Sequence, residues 1–153
     1  MIRIAENALQ QVRDHGAQAY PEECCGMMLG KDLDGARTIE AVLPVPNVRE
    51  GNRRRRFLIS PQDYVEAEKT AAARGMDLLG FYHSHPDHPA APSTYDTEHA
   101  LPWFTYLIVS VIQGNPGEVT AWTLRENRER FDQKAIIITA AAGVLQNINR
   151  KEQ

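Results

Sequence analysis

Apolar and polar residues along this chain change their period several times, and each change marks an element. Ile2-Arg3-Ile4 alternates with period two and predicts a short edge strand. From Ala5 to Ala19 the apolar positions Ala8, Leu9, Val12, Gly16 and Ala19 keep helical spacing, and Tyr20-Pro21 closes that helix. A small apolar strand follows through Met27-Met28-Leu29. Lys31-Asp32-Leu33-Asp34-Gly35 then predicts a hairpin turn into a second strand, Thr38 to Val45. Pro44 and Pro46 place the end of that strand at an edge or in a loop.

The segment from Asn47 to Arg56 is polar and contains four consecutive arginines, Arg53 to Arg56, which read as a solvated loop or as a dock for an acidic partner. Phe57-Leu58-Ile59 predicts a short strand. Ser60-Pro61-Gln62-Asp63 combines an N-cap, a first-turn proline and an acidic third position, so a helix starts there and ends at Gly75. Asp77 to Tyr82 predicts a buried strand, Thr105 to Ile112 another, and Val119 to Leu124 pairs with it as a hairpin across Gln113-Gly114-Asn115-Pro116-Gly117. Ala135 to Ile148 is a separate apolar segment. It reads as a helix packing on the domain or as a homodimer contact, and its Ile136-Ile137-Ile138 triplet also permits a strand. The whole is an α/β pattern: a mixed, curved sheet of roughly six to eight strands flanked by helices.

The chemistry gathers where the Asp77–Tyr82 strand ends, in Gly80-Phe81-Tyr82-His83-Ser84-His85-Pro86. Side chains alternate along a strand, so His83 and His85 project from one face and Ser84 from the other. Two imidazoles converging in this way make half of a zinc site. Asp96 can supply a third ligand from the next element, leaving a fourth tetrahedral position open, as in catalytic rather than structural zinc sites. Ser93 and Asp96 are also spaced as an N-cap and N3 acid of a helix start. A helix N-terminus there would favour a developing oxyanion.

His83-Ser84-His85-Pro86, six intervening residues, Ser93, two more and Asp96 together resemble the signature of the JAMM (MPN-plus) zinc metalloproteases at every specified position. Glu23, in Glu-x-Cys-Gly before an apolar strand, resembles that family's general-base segment, whereas Glu22 reads as a solvated loop residue. The resemblance covers roughly residues 2 to 131. It implies a JAMM/MPN-type domain over 1–131, related in fold to the cytidine deaminases, with 132–153 as an extension packing on the domain or on a partner. It implies one zinc per chain held by His83, His85 and Asp96, Glu23 as general base, and Ser93 as donor to the tetrahedral intermediate. The short length resembles compact prokaryotic members that trim small ubiquitin-like or sulfur-carrier proteins after a Gly-Gly end, at a peptide or isopeptide bond. The alternative is a non-catalytic, zinc-containing binding module for a ubiquitin-like partner. A zinc deaminase needs His-x-Glu and Pro-Cys-x-x-Cys, and neither occurs in the chain.

Composition narrows the field further. The length of 153 residues suits one domain with a proper core. A formal net charge of −3 argues against nucleic acid as the partner. No apolar run approaches a membrane span, and the N-terminus lacks a signal-peptide layout, so a cytoplasmic location is expected. The only two cysteines, Cys24 and Cys25, are adjacent, which disfavours a disulfide and predicts buried, reduced thiols.

Overall fold

Phe81 and Tyr82 are neighbours in sequence and belong to opposite cores, because the strand that carries them is covered on both faces. A computed structural model describes residues 1–140. Its elements are β1 (Ile2–Ala5), α1 (Glu6–Ala19), β2 (Cys25–Leu33), β3 (Ala36–Val45), α2 (Pro61–Ala73), β4 (Asp77–Pro86), α3 (Thr94–His99), β5 (Thr105–Ile112), β6 (Asn115–Leu124), β7 (Phe131–Lys134) and β8 (Ile136–Thr139). The strands form one eight-stranded sheet in the order β7-β6-β5-β4-β2-β3-β1-β8. β4 runs parallel to β5, and β1 runs parallel to both β3 and β8. The remaining pairs are antiparallel, so the sheet is mixed. Shifts of register at Met28/Leu29 against β4 and at Leu29/Gly30 against β3 are bulge-like and bend β2.

One face of the sheet carries Ile4, Met28, Tyr82, Leu107 and Val109, covered by Leu9 and Val12 of α1. Gly16 lets that helix lie close, since a Cβ there would stand 3.0 Å from a Val111 methyl and 3.6 Å from Ser84 Cβ. The other face carries Met27, Phe81, Phe104 and Tyr106, with Ala67 of α2 against them. Helices on both faces of a mixed sheet make an α/β domain.

The structure differs from the sequence reading at two places and decides between its alternatives at a third. β1 is not an edge strand: Ile2 pairs with both Arg37 and Ile136, because β8 adds outside it. Ile136–Thr139 is a strand, the alternative that the Ile136-Ile137-Ile138 triplet permits, and it completes the sheet. The rest of that apolar segment, and with it the homodimer contact, lies outside the described residues. Phe57-Leu58-Ile59 is not a strand either. Its backbone is held by the neighbouring loop: Leu58 N–H donates to Asn47 Oδ1, and Leu58 C=O accepts from Val48 N–H, at 3.1 and 3.0 Å. Among the described residues no helix is long and apolar enough to cross a membrane.

Gly80 joins the fold to the site. A Cβ at Gly80 would lie 1.8 Å from the Thr105 carbonyl oxygen, its partner residue on β5. Gly80→Ala must force β4 and β5 apart just upstream of the two histidines. The expected result is a loss of stability above about 2 kcal/mol, read as a lower midpoint in urea unfolding at unchanged slope.

Candidate metal centre

β4 extends four residues past Tyr82 and carries His83 and His85 on the Phe81 face, at 1% and 8% exposure. Proline-rich chain then leads to α3, where Ser93 and Asp96 form a reciprocal capping box. Asp96 N–H donates to Ser93 Oγ at 3.1 Å, and Ser93 N–H donates to Asp96 Oδ2 at 2.9 Å. The cap thus aims Asp96 Oδ2 back at the strand, 3.3 Å from His83 Nε2 and 3.2 Å from His85 Nε2. The two Nε2 atoms are 3.1 Å apart. Ligands about 2.0–2.1 Å from a tetrahedral zinc stand about 3.3 Å from each other. The triangle of His83, His85 and Asp96 therefore has the dimensions of one face of such a site.

Glu23 arrives from the turn before β2, the antiparallel neighbour of β4. It directly precedes the Cys24-Cys25 step into β2, and Cys25 pairs with His83. Among the described residues, Glu23, His83 and His85 also form a group whose ligand atoms lie within 4.8 Å of one another. Asp96 Oδ2 stands closer to the ligand edge than Glu23 does, since Glu23 Oε1 is 4.0 Å from His85 Nε2. Glu23 is 4% exposed, and its Oε2 has no hydrogen-bond partner. A buried carboxylate oxygen left unpaired beside three converging ligand atoms fits a site built to hold an ion and a water.

The tautomers follow from the neighbours. His85 Nδ1 donates to the Pro89 carbonyl at 2.9 Å, which leaves the Nε2 lone pair for the centre. His83 Nδ1 has no partner; its ring is held instead by Phe57, stacked at 4.7 Å and 24°. Burial pushes the Glu23 carboxyl up to about 8, with Asp96 adding to the rise and His85 and Arg56 opposing it. Burial works the same way on Asp96. There the charge and hydrogen bonds of His83, a bond from His85 and the Ser93 N–H win, holding it well below the carboxylate range. His85 is raised, since its bonds to Asp96 and Pro89 outweigh the lowering by burial.

The structure brings Glu23, His83, His85, Ser93 and Asp96 together, and it adds residues that the sequence reading passed over. Asn47 is the hub of the arginine loop. Its Nδ2 donates to the carbonyls of Glu23 and Arg56, and its Oδ1 accepts from the N–H groups of Arg49 and Leu58, all at 3.1 Å. Glu23 N–H donates to Arg53 C=O at 2.7 Å, so the backbone of this glutamate is tied to the loop twice. Ser84, on the opposite face of β4, accepts from Cys24 N–H at 2.8 Å and fixes the same turn. The glycine of Glu-x-Cys-Gly has a local reason as well: a Cβ on Gly26 would fall 2.3 Å from the ring of Tyr82. Tyr82 itself pairs with His15, its hydroxyl 2.7 Å from Nδ1. His99 stacks on Tyr95 at 3.9 Å, a packing role. Cys24 and Cys25 are free and buried, and burial pushes their thiols up to about 11 and about 12, so neither is a nucleophile.

Two cavities meet at this centre. One, of about 300 Å³, is apolar, walled by Phe57, Phe81, Tyr95 and Tyr106 and ending on His83 and Asp96. The other, of about 330 Å³, has Glu23, His85 and Ser93 on one side and Arg54, Arg55 and Arg56 on the other. Both are large enough for parts of a small substrate.

This fold and site define a member of a known hydrolase superfamily. The chain belongs to the family of prokaryotic homologs of the JAB domain, whose model matches residues 5–125. It is 38% identical over 127 residues to a desampylase of Haloferax volcanii, covering 81% of this chain and 86% of that one. It is 32% identical over 129 residues to a probable TtuB-protein conjugate cleaving protease of Thermus thermophilus, covering 84% and 80%. A solution structure of a Desulfitobacterium hafniense protein superposes with a TM-score of 0.81 at 28% identity, covering 92% of this chain and 94% of that one.

Proposed function

We propose that this JAB-family hydrolase is a zinc-dependent peptidase that releases the group joined to the Gly-Gly end of a small ubiquitin-like or sulfur-carrier protein, using Glu23 as general base. The observation that carries the reading is the pairing of a ligand-sized triangle, His83–His85–Asp96, with the unpartnered Oε2 of Glu23 beside it. Relatives named as a desampylase and as a conjugate-cleaving protease support a protein conjugate as substrate.

A zinc ion held by His83, His85 and Asp96 would acidify a water and polarise the scissile carbonyl. Glu23 takes a proton from the attacking water and returns it to the leaving amine, a role open to it because its buried Oε2 has no other partner beside the ligand triangle. Ser93 Oγ already accepts from Asp96 N–H, which leaves its own proton to donate to the carbonyl oxygen as that becomes negative. Asn47 and Ser84 hold the backbone that aims Glu23. The thiols take no part.

The test uses small ubiquitin-like proteins ending in Gly-Gly, joined either to one further residue or to a lysine side chain. Incubation with the zinc-loaded protein, followed by intact-mass spectrometry, should show release of the appended group. Prior treatment with a chelator should stop it, and added zinc should restore it. Release that persists in the metal-free protein would sink the metal-dependent reading. Tight binding of the carrier without release would favour the binding module.

A further inference from the structure

The two cavities are chemically unlike, and the proton shuttle says which one receives which half of the substrate. The argument rests on the peptidase reading above. A base that returns its proton to the leaving amine must stand within hydrogen-bond reach of that nitrogen. Glu23 lines only one of the two cavities, the one shared with Arg54, Arg55 and Arg56. The leaving group therefore enters the arginine-walled cavity, and the acyl side, with its carrier tail, lies toward the apolar one.

Among the described residues, none of these three guanidiniums is paired with a carboxylate, whereas Arg53 next to them faces Glu22 at 3.9 Å. The loop that presents them is not free to drift. Asn47 ties Arg56 C=O and Glu23 C=O to one amide, and the Arg56 guanidinium lies over the Tyr95 ring at 4.3 Å, reaching across to α3. Arg54 and Arg55 are exposed at the mouth of the cavity. Three arginines without a carboxylate partner, Arg56 stacked on Tyr95 and Arg54 and Arg55 exposed, form a receptor for an anion on a wall anchored to the general base.

We infer that the arginine-walled cavity selects leaving groups by a free carboxylate next to the cut bond, as in a single amino acid released from the end of a carrier. An α-linked residue places its α-carboxylate two bonds from the leaving nitrogen, where an arginine fork can take it bidentately. A lysine side-chain amine carries no such group at that distance. It sits at the end of a four-carbon stem and meets the same wall as a neutral chain. The arginine run thus biases the site toward trimming a terminal residue over cutting an isopeptide.

The experiment compares three substrates on one zinc-loaded preparation: carrier-Gly-Gly-Ala with a free carboxylate, the same carrier ending in alaninamide, and a lysine isopeptide of the carrier. The expected result is a kcat/KM about tenfold higher for the acid than for the amide, expressed mainly in KM, with the isopeptide grouped with the amide. The triple variant R54Q/R55Q/R56Q should bring the acid-to-amide ratio close to one, and added salt should lower that ratio in the parent protein. A ratio is used because both substrates meet the same folded fraction. Equal cleavage of acid and amide by the parent, or a preference that survives in the triple variant, overturns the inference and leaves the peptidase reading standing. Cleavage of none of the three overturns both.

Discussion

Glu23→Gln is expected to reduce kcat by about 10²–10⁴-fold while leaving one zinc per chain in place. The substitution keeps the size of the side chain and removes its ability to take a proton. The backbone anchors of residue 23, to Arg53 C=O and from Asn47 Nδ2, do not depend on the carboxylate and should persist. Stability is expected to hold or rise slightly, because a carboxyl with an unpartnered buried oxygen and a pKa raised by burial is a cost to the fold. The sign is definite. A raised carboxyl pKa means that the folded state favours the protonated form, so this group weakens the fold as pH rises past its unfolded value. The matching measurements are steady-state turnover and metal content by mass spectrometry. The neighbouring arrangement, with Glu23 as third ligand in place of Asp96, makes the opposite forecast: the variant would lose its metal along with its activity.

Much of this site could be read from the chain because its parts obey short-range rules. His83 and His85 share a face by strand alternation alone, and Ser93 and Asp96 are placed by the spacing of a helix cap. Glu23 is different. It lies sixty residues before His83, and only the pairing of Cys25 with His83 brings it to the centre. No local period encodes that pairing, so the reading of Glu23 depended on a family motif. Asn47 carries no signal at all in the sequence. An asparagine in a polar loop is ordinary, and its four hydrogen bonds appear only once the loop closes around it. Phe57-Leu58-Ile59 misled for a related reason. Its apolar run matches a buried strand, but those residues line a cavity and leave the sheet ladder to others. β1 looked like an edge because the strand that covers it, β8, comes from the far end of the chain, and parallel pairing at that distance leaves no mark on either segment.

Asp96→Asn separates the two duties of one side chain. Asp96 Oδ2 caps α3 by accepting from Ser93 N–H at 2.9 Å, and the same atom faces both imidazoles. Asparagine retains an acceptor of the same reach for the Ser93 N–H, so the metal-free variant should unfold within about 1 kcal/mol of the metal-free parent. What it loses is the charge. His83, His85 and the Ser93 N–H hold the Asp96 carboxyl well below the usual range, so it is ionised at every pH at which the protein would be assayed. Its removal leaves two imidazoles to bind a divalent ion without the anionic ligand. The expected result is loss of bound zinc after dialysis and turnover below about 1% of the parent. Asp96→Ala should show the same loss of metal together with a further destabilisation of about 1 kcal/mol from the lost bond to Ser93 N–H. If Asp96→Asn kept both zinc and turnover while Glu23→Gln lost its metal, Asp96 would be a helix cap alone, and the third ligand would be Glu23.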